Sequence, residues 1–463
     1  MKLLFIRPGS RINGKPILPW PMTHPPLGLL YIGSVLEKEG HSVEILDHIY
    51  HDTLLKDFEK SINSSDVIGI SFIDNCKPTA DIAKLIKEIN PKIPIIIGGS
   101  YCTFLPKQSL LDVPEADICV VGEGEQVIID IIRYLKGQKK LQDISGIYYR
   151  QNKSIKQGKQ PKVIEDLDSI PFPARKLVEK YDYGISPIGY KLKKNATAII
   201  TARGCPFNCR FCAKYSNAIK NWRFRQRSAK NVFEEIKEIS QDYRSIMIVD
   251  DNLLADKKRA HEIFDLIIEE DINVEFFIEG ARVDTADRKL YLKMKKAGVK
   301  LLLYGIESGN QDVLDFYNKK ITLKQIKDAV NLAREMDFFI YASFIFGAPI
   351  ETEQHLENTI KFARSLPIDF ALFNPLRYLI GSSLWLDAVK NKKFPSNIYT
   401  ITTDSKFNLG KINKEQLLNY TIKAYKEFYY RPTYLFPQIF RSIVRKDFSL
   451  LYNGLKFFPM INK

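Results

Sequence analysis

The chain has 463 residues, 45% hydrophobic and 27% charged. That balance excludes extensive disorder and supplies core for two or three domains of about 100–200 residues each. No apolar run approaches the roughly 20 residues of a membrane-spanning helix, and the apolar stretch in MKLLFIRPGSRING is too short for a signal peptide, so a cytoplasmic protein is expected.

Residues 1–135 alternate apolar β-type runs with amphipathic helical runs. KLLFIRP, SVEILD, VIGISF, IPIIIGG and ICVVGEG read as strands, and LGLLYIGSVLEKEG and TADIAKLIKEIN as helices closed by Gly40 and Pro91. The pattern predicts a doubly wound, Rossmann-like parallel sheet. Ligands of such sheets bind beyond the carboxyl ends of the strands, here the polar or glycine-rich segments 7–10, 71–76, 98–102 and 122–125. Residues 136–195, with QNKSIKQGKQPK and LDSIPFPAR, read as a small β-rich connection.

The alternation resumes over residues 196–380. TAIITARG, SIMIVDD, VEFFIEGAR, LLLYGIESG, FIYASFIFGAP and DFALFNPL make six βα-type units, which suit a partial (β/α)6 barrel with its chemistry at the carboxyl ends of the strands. Residues 381–463 differ: 14 Lys and Arg face 5 Asp and Glu there, a large share of the net charge of +15. Between Ile412 and Lys463 stand twelve Phe and Tyr with nine Lys and Arg, in runs such as AYKEFYYRPTYLFPQIFRSIVRK, which predict amphipathic helices. The charge fits an acidic partner, whether nucleic acid, anionic lipid or a phosphorylated substrate.

CPFNCRFC, just after the first barrel-type strand, carries the sharpest chemical signal. Six cysteines in so long a chain, three of them clustered, point to metal binding in a reducing compartment rather than to disulfides. Cys205, Cys209 and Cys212 on one loop can wrap a single 4Fe-4S cluster and leave one iron without a protein thiolate. A zinc knuckle or an electron-transfer cluster with a remote fourth cysteine is the other reading of the spacing, although no nearby His or Cys completes a zinc site.

The loop resembles the CxxxCxφC signature of the radical S-adenosylmethionine (SAM) superfamily, with Phe211 at the aromatic position. The resemblance runs through residues 196–375. It implies that Asp250 in VDDN meets the SAM amino group, that Arg282 lies near its carboxylate, that Glu307 and Ser308 contact ribose and methionine, and that Gly347 in FGAPIETEQ lets the backbone approach the cofactor. Read singly, Asp250 could be a helix cap, Arg282 could pair with Glu279 or Asp284, and Gly347 could serve a turn. The implied chemistry is chelation of the open iron by SAM, reductive cleavage to a 5′-deoxyadenosyl radical, and hydrogen abstraction from an unactivated carbon. A ferredoxin or flavodoxin would supply the electron.

The first domain resembles the cobalamin-binding domain attached to many such enzymes, through PPLGLLYIGSVLEKEGHSVEILD, the GIS strand end at 69–71, the GGS turn at 98–100 and GEGE at 122–125. This implies that Ser71, Gly98, Gly99, Ser100, Gly122 and Gly124 bind cobalamin, the glycines cradling the corrin. The DxHxxG signature of an axial histidine is absent, because Asp47, His48 and His51 have the wrong spacing. Cys76, Cys102 and Cys119 read as core or lining residues. The tail around YKEFYYRP resembles that of anaerobic magnesium-protoporphyrin ester cyclases and hopanoid-modifying enzymes. It is suited either to a membrane interface or apolar substrate, or to the core of a small helical cap.

The resemblances imply a cobalamin-dependent radical SAM enzyme that methylates or cyclises an apolar, tetrapyrrole or lipid-like small molecule. Radical coupling, cyclisation or oxidation without cobalamin, and a non-catalytic cobalamin and Fe-S sensor, are the alternatives. Nucleic acid is not expected as a partner, since no RNA-binding appendage or second cysteine triad is present.

Overall fold

In the computed structural model the chain forms two compact units, Met1–Tyr183 with Lys214–Arg225, and Gly184–Ala213 with Gln226–Lys463. The structure describes residues 1–9, 11–12, 15–16, 24–49, 55–73, 76–152, 154–183, 195–445 and 448. His51 and nearly all of the tail beyond Arg445 lie outside the described residues.

The first unit is built on a seven-stranded sheet of β1 (Lys2–Arg7), β2 (Ser42–Asp47), β3 (Val67–Ser71), β4 (Ile95–Gly98), β5 (Ile118–Val120), β6 (Ile147–Gln151) and β7 (Ser154–Gln157), in the order β2-β1-β3-β4-β5-β6-β7. Strands β1 to β5 are parallel, and the last two pairings are antiparallel. The central strands are near-continuous apolar runs because both faces of a parallel sheet are covered. One core cluster packs Phe5, Ile96 and Ile118 against Leu30 and Leu36 of α1 (Leu27–Lys38) and Ile128 and Ile132 of α6 (Glu125–Leu135). Helices α2 (Leu55–Asn63), α3 (Cys76–Ile89), α4 (Ser100–Phe104) and α5 (Pro106–Asp112) complete the alternation. The segment expected as a β-rich connection thus supplies β6 and β7 to this sheet. The polar SIKQ of β7 forms the exposed edge, which discourages further strand pairing.

The second unit is an open six-stranded parallel sheet of β8 (Ala196–Ile199), β9 (Ser245–Ile248), β10 (Glu275–Ala281), β11 (Val299–Glu307), β12 (Phe339–Phe346) and β13 (Phe370–Pro375), paired in chain order. Helices α7 (Ala229–Ile239), α8 (Lys257–Glu269), α9 (Arg288–Lys296), α10 (Gln311–Phe316), α11 (Leu323–Glu335) and α12 (Glu353–Ser365) alternate with the strands. Caps set several helix starts, as where Thr322 and Gln325 form a reciprocal capping box on α11.

After the last strand come α13 (Ser383–Lys390), α14 (Lys414–Tyr429) and α15 (Pro432–Arg445). Strand β13 ends the sheet on one side, and its free backbone groups meet tyrosines. The Tyr429 hydroxyl accepts from the Ala371 amide at 3.0 Å and donates to its carbonyl at 2.9 Å. The Tyr425 hydroxyl does the same for Phe373, at 3.2 Å each way. Hydroxyls here take the place of a neighbouring strand, so part of the aromatic tail is core that seals a sheet edge.

Candidate active site

The three cysteines follow β8 in a loop that other elements clamp. The Arg210 amide donates to the Tyr317 carbonyl at 2.9 Å, Asn318 Nδ2 to the Asn208 carbonyl at 2.9 Å, and the Leu384 amide to the Arg210 carbonyl at 3.0 Å. Phe211 meets the Tyr317 ring edge-on at 5.1 Å. The end of α10 and the start of α13 therefore hold the loop. Desolvation, with Asp251 and the neighbouring cysteines adding to it, raises the thiols of Cys205 and Cys212 above their ordinary range. Arg282 opposes this at Cys205. Its Nη1 lies 3.7 Å from Cys209 Sγ, and its guanidinium stacks 3.8 Å over the Phe207 ring. Among the described residues no three His, Cys, Asp or Glu side chains are grouped to hold a metal ion. Three soft thiol donors on one loop, with no histidine among them, are the donor chemistry that an iron–sulfur cluster takes.

The remaining residues singled out from the sequence divide in two. Asp250 is buried, and both its oxygens are engaged by the strand that carries the cysteine loop. Oδ1 accepts from the Thr201 amide at 2.6 Å and the Ala202 amide at 3.2 Å, and Oδ2 from the Thr201 hydroxyl. Arg259 reinforces the same strand through the Thr201 carbonyl at 2.9 Å. Ser308 is buried and lies 3.2 Å from the Thr359 hydroxyl, while accepting from the Asn310 amide at 3.2 Å, a network at the start of α10. A Cβ on Gly347, whose φ is +100°, would collide with Thr403, so this glycine serves packing against the C-terminal region.

Arg282 and Glu307 hold buried positions at strand ends. Arg282 is fixed by two 2.9 Å bonds to Asp284 and one of 2.6 Å to the Lys319 carbonyl. Glu307 sits at φ +70° and pairs with Lys319 Nζ at 2.7 Å, both side chains buried. Gly305 exists for this pair, since a Cβ there would run into the Glu307 carboxylate and come 2.9 Å from Lys319 Nζ.

Three side chains escaped the sequence reading. Asn252, the last residue of VDDN, is fully buried with neither amide atom hydrogen-bonded. Glu351, in FGAPIET, accepts from the Gly347 and Ala348 amides through Oε2, while Oε1 has no partner. The buried Tyr317 hydroxyl is likewise unpartnered. Buried polar atoms are nearly always satisfied, so such orphans mark places for a bound group. The first two lie inside quoted motifs; nothing local marks Tyr317.

In the first unit, three of the four glycines singled out for cobalamin are required by the chain itself. A Cβ on Gly99, at φ +130°, would lie 2.5 Å from the Phe72 carbonyl oxygen; on Gly122, 2.8 Å from Ile219; and on Gly124, 2.9 Å from Ile32. Among the four glycines singled out for cobalamin, Gly98 alone has ordinary room, its nearest neighbour being Val120 at 3.6 Å. Ser71 ends β3 half-buried, and the Ser100 hydroxyl donates to the Ile73 carbonyl at 2.7 Å. Cys102 and Cys119 are core. Asp47 is engaged with Arg7 in a buried ion pair and accepts from the Tyr183 hydroxyl at 2.9 Å. Glu123 pairs with Arg225 at 3.0 Å and accepts from the Ile164 amide at 2.7 Å, fastening residues 214–225 to the GEGE turn.

Comparison with known proteins agrees with this architecture. Residues 199–363 match the family model for the radical SAM superfamily, and residues 19–132 that for the B12 binding domain. An uncharacterized methyltransferase of Pyrococcus horikoshii is 33% identical over 95% of this chain and 95% of its own length. The anaerobic magnesium-protoporphyrin IX monomethyl ester cyclase of Rubrivivax gelatinosus is 30% identical over 80% of this chain and 67% of its own. The solved structure of the cobalamin-dependent S-adenosylmethionine radical enzyme OxsB with aqua-cobalamin shares the fold, with a TM-score of 0.73 at 17% identity over 92% of this chain and 67% of that one. With its cysteine loop at the end of β8, its open parallel barrel and a Rossmann-like first unit, the chain belongs to the radical SAM superfamily, as an enzyme carrying a B12 binding domain.

Proposed function

We propose that Cys205, Cys209 and Cys212 hold a 4Fe-4S cluster, that SAM binds at the iron they leave open, and that the enzyme methylates or cyclises an unactivated carbon of an apolar, tetrapyrrole or lipid-like molecule with cobalamin on its first unit. The observation that carries this reading is one clamped loop with three thiols and the Arg282 guanidinium against Cys209. Bound, the cluster supplies the electron that cleaves the sulfonium, drawn from a ferredoxin or flavodoxin.

The chain's own residues position and shelter. Arg282 offsets the thiolate charge that a cluster concentrates. Asn252 offers an amide donor and acceptor to the amino acid moiety of SAM, a role that Asp250 leaves open because its oxygens serve Thr201 and Ala202. Glu307 is held by Lys319, whose ammonium lies 5.7 Å from the centre of the Phe211 ring, so the pair ties a fixed carboxylate to the cysteine loop. Gly347 and Ser308 act through packing and through the start of α10.

The names of the Pyrococcus and Rubrivivax relatives support methyl transfer or cyclisation. The cobalamin reading rests on the B12 binding domain match over residues 19–132. Cyclisation, coupling or oxidation without cobalamin is a second reading, favoured by the finding that Gly99, Gly122 and Gly124 serve internal packing. Anaerobic reconstitution with SAM and a reductant should yield 5′-deoxyadenosine; none, with full iron loading and every plausible substrate class supplied, would leave the sensor reading. Protein from cells grown with cobalamin should show corrin absorbance, and its absence selects the second reading. Cys209→Ala should lose the cluster, and unchanged iron content in that variant would overturn the ligand assignment.

A further inference from the structure

Helix α15 is mounted the wrong way round for an ordinary surface helix. Such helices turn their apolar stripe to the core and their polar side to water. Here the polar side is docked. Asp369, fully buried at the start of β13, receives Gln438 Nε2 at 3.1 Å and Arg441 Nη1 at 2.8 Å through Oδ1, and its carbonyl accepts from the Tyr434 hydroxyl at 2.6 Å. The other oxygen of Asp369 is held by Arg334 and the Ile340 amide, both at 2.8 Å. Gln438 and Ser442 are buried accordingly.

The opposite face carries Phe436, Ile439, Phe440, Ile443 and Val444, spaced as one helical stripe, all exposed, the two phenylalanines at 71% and 68%. Tyr430 and Phe448 flank it, also exposed. A buried anchor on the polar side keeps this stripe displayed, because rolling the helix inward would break the bonds to Asp369.

The net charge of the segment that carries the stripe names its occupant. Residues 431–463 hold six Lys and Arg against one acid, Asp447. A second copy docked through the same face would set two such basic segments against each other, since a two-fold contact pairs a patch with itself. An anionic lipid surface accepts both the apolar stripe and the cations. The helix has 14 residues, about 21 Å at 1.5 Å per residue, too short to cross a hydrocarbon core of about 30 Å. Among the described residues no helix is long and apolar enough to cross a membrane.

We infer that α15 lies flat in the interfacial region of an anionic membrane, its phenylalanines among the acyl chains, with the net positive charge of its segment attracting the headgroups. The inference stands apart from the redox reading and survives its failure.

Full-length protein purified anaerobically should co-sediment with phosphatidylglycerol vesicles and bind phosphatidylcholine vesicles at least about tenfold more weakly. The anionic preference should fade at high salt. Phe436→Ser with Phe440→Ser should weaken binding to the anionic vesicles by at least about tenfold, with circular dichroism and iron content unchanged. A fluorophore on Phe440→Cys should shift to the blue only when those vesicles are added. Absent vesicle binding, or equal binding by the double variant, would overturn the inference. So would a probe already shielded without lipid, which identifies the tail or, if concentration-dependent, a second copy as the occupant.

Discussion

Replacing Glu351 by Gln should stabilise the protein at pH 8 and leave it nearly unchanged at pH 5. The wild-type carboxyl is fully buried, with Oε2 accepting from two amides at 2.6 and 2.7 Å and Oε1 unpartnered. Burial pushes it from its ordinary 4.5 to about 7, against the two amide bonds and helped by Asp312. Folded protein therefore keeps a proton that the unfolded chain has released. The stability this carries is present in full below pH 4.5 and is lost as pH rises through 7. At about 1.4 kcal/mol per pH unit the loss sums to roughly 3 kcal/mol. Gln cannot ionise, its carbonyl can accept the same two amides, and its NH2 group stands where the protonated acid carries its own donor. Urea midpoints of both proteins, measured anaerobically from about pH 5 to about pH 8, should diverge with rising pH, the variant ending the more stable. A difference independent of pH, or a wild type more stable at pH 8, would mean that the carboxylate finds a partner in the folded protein.

Asp250 and Asn252 should behave oppositely although one residue separates them. Asp250→Ala strips two amides and a hydroxyl of their buried acceptor and should lower stability by about 3 kcal/mol or more, with iron retention falling as the loop loosens. Asn252→Ala removes an amide that has no partner, so stability should move by less than about 1 kcal/mol. Equilibrium dialysis of SAM should nevertheless show about tenfold weaker binding. Full stability in the first variant or unchanged dialysis in the second refutes the respective role. In the first unit, Glu123→Gln leaves Arg225 buried without its counter-ion and should cost about 3 kcal/mol, read as a lower thermal midpoint and faster proteolysis within residues 214–225.

Much was legible from local pattern alone. The two periods of apolar residues placed the strands and helices of both units, and the cysteine spacing placed three thiols on one loop, because a short loop leaves its side chains little freedom to separate. The strand ends were legible for the same reason, and Arg282 and Glu307 lie buried at them. Which partner each end residue takes was not. Asp250 turns to Thr201 and Ala202, 49 and 48 residues away in sequence, and Ser308 to Thr359, 51 away, whereas Asn252 is left unpaired.

Those pairings depend on strand register and on how a helix returns to its sheet. Register likewise put β6 and β7 into the first sheet, and closure fastened residues 214–225 to Glu123. The tail shows the division most sharply. Its sequence specifies that α15 has an apolar and a polar face, since that follows from 3.6 residues per turn. Only the tertiary structure decides which face points outward, because the choice lies with a buried carboxylate on β13's approach, at Asp369, that satisfies Gln438 and Arg441.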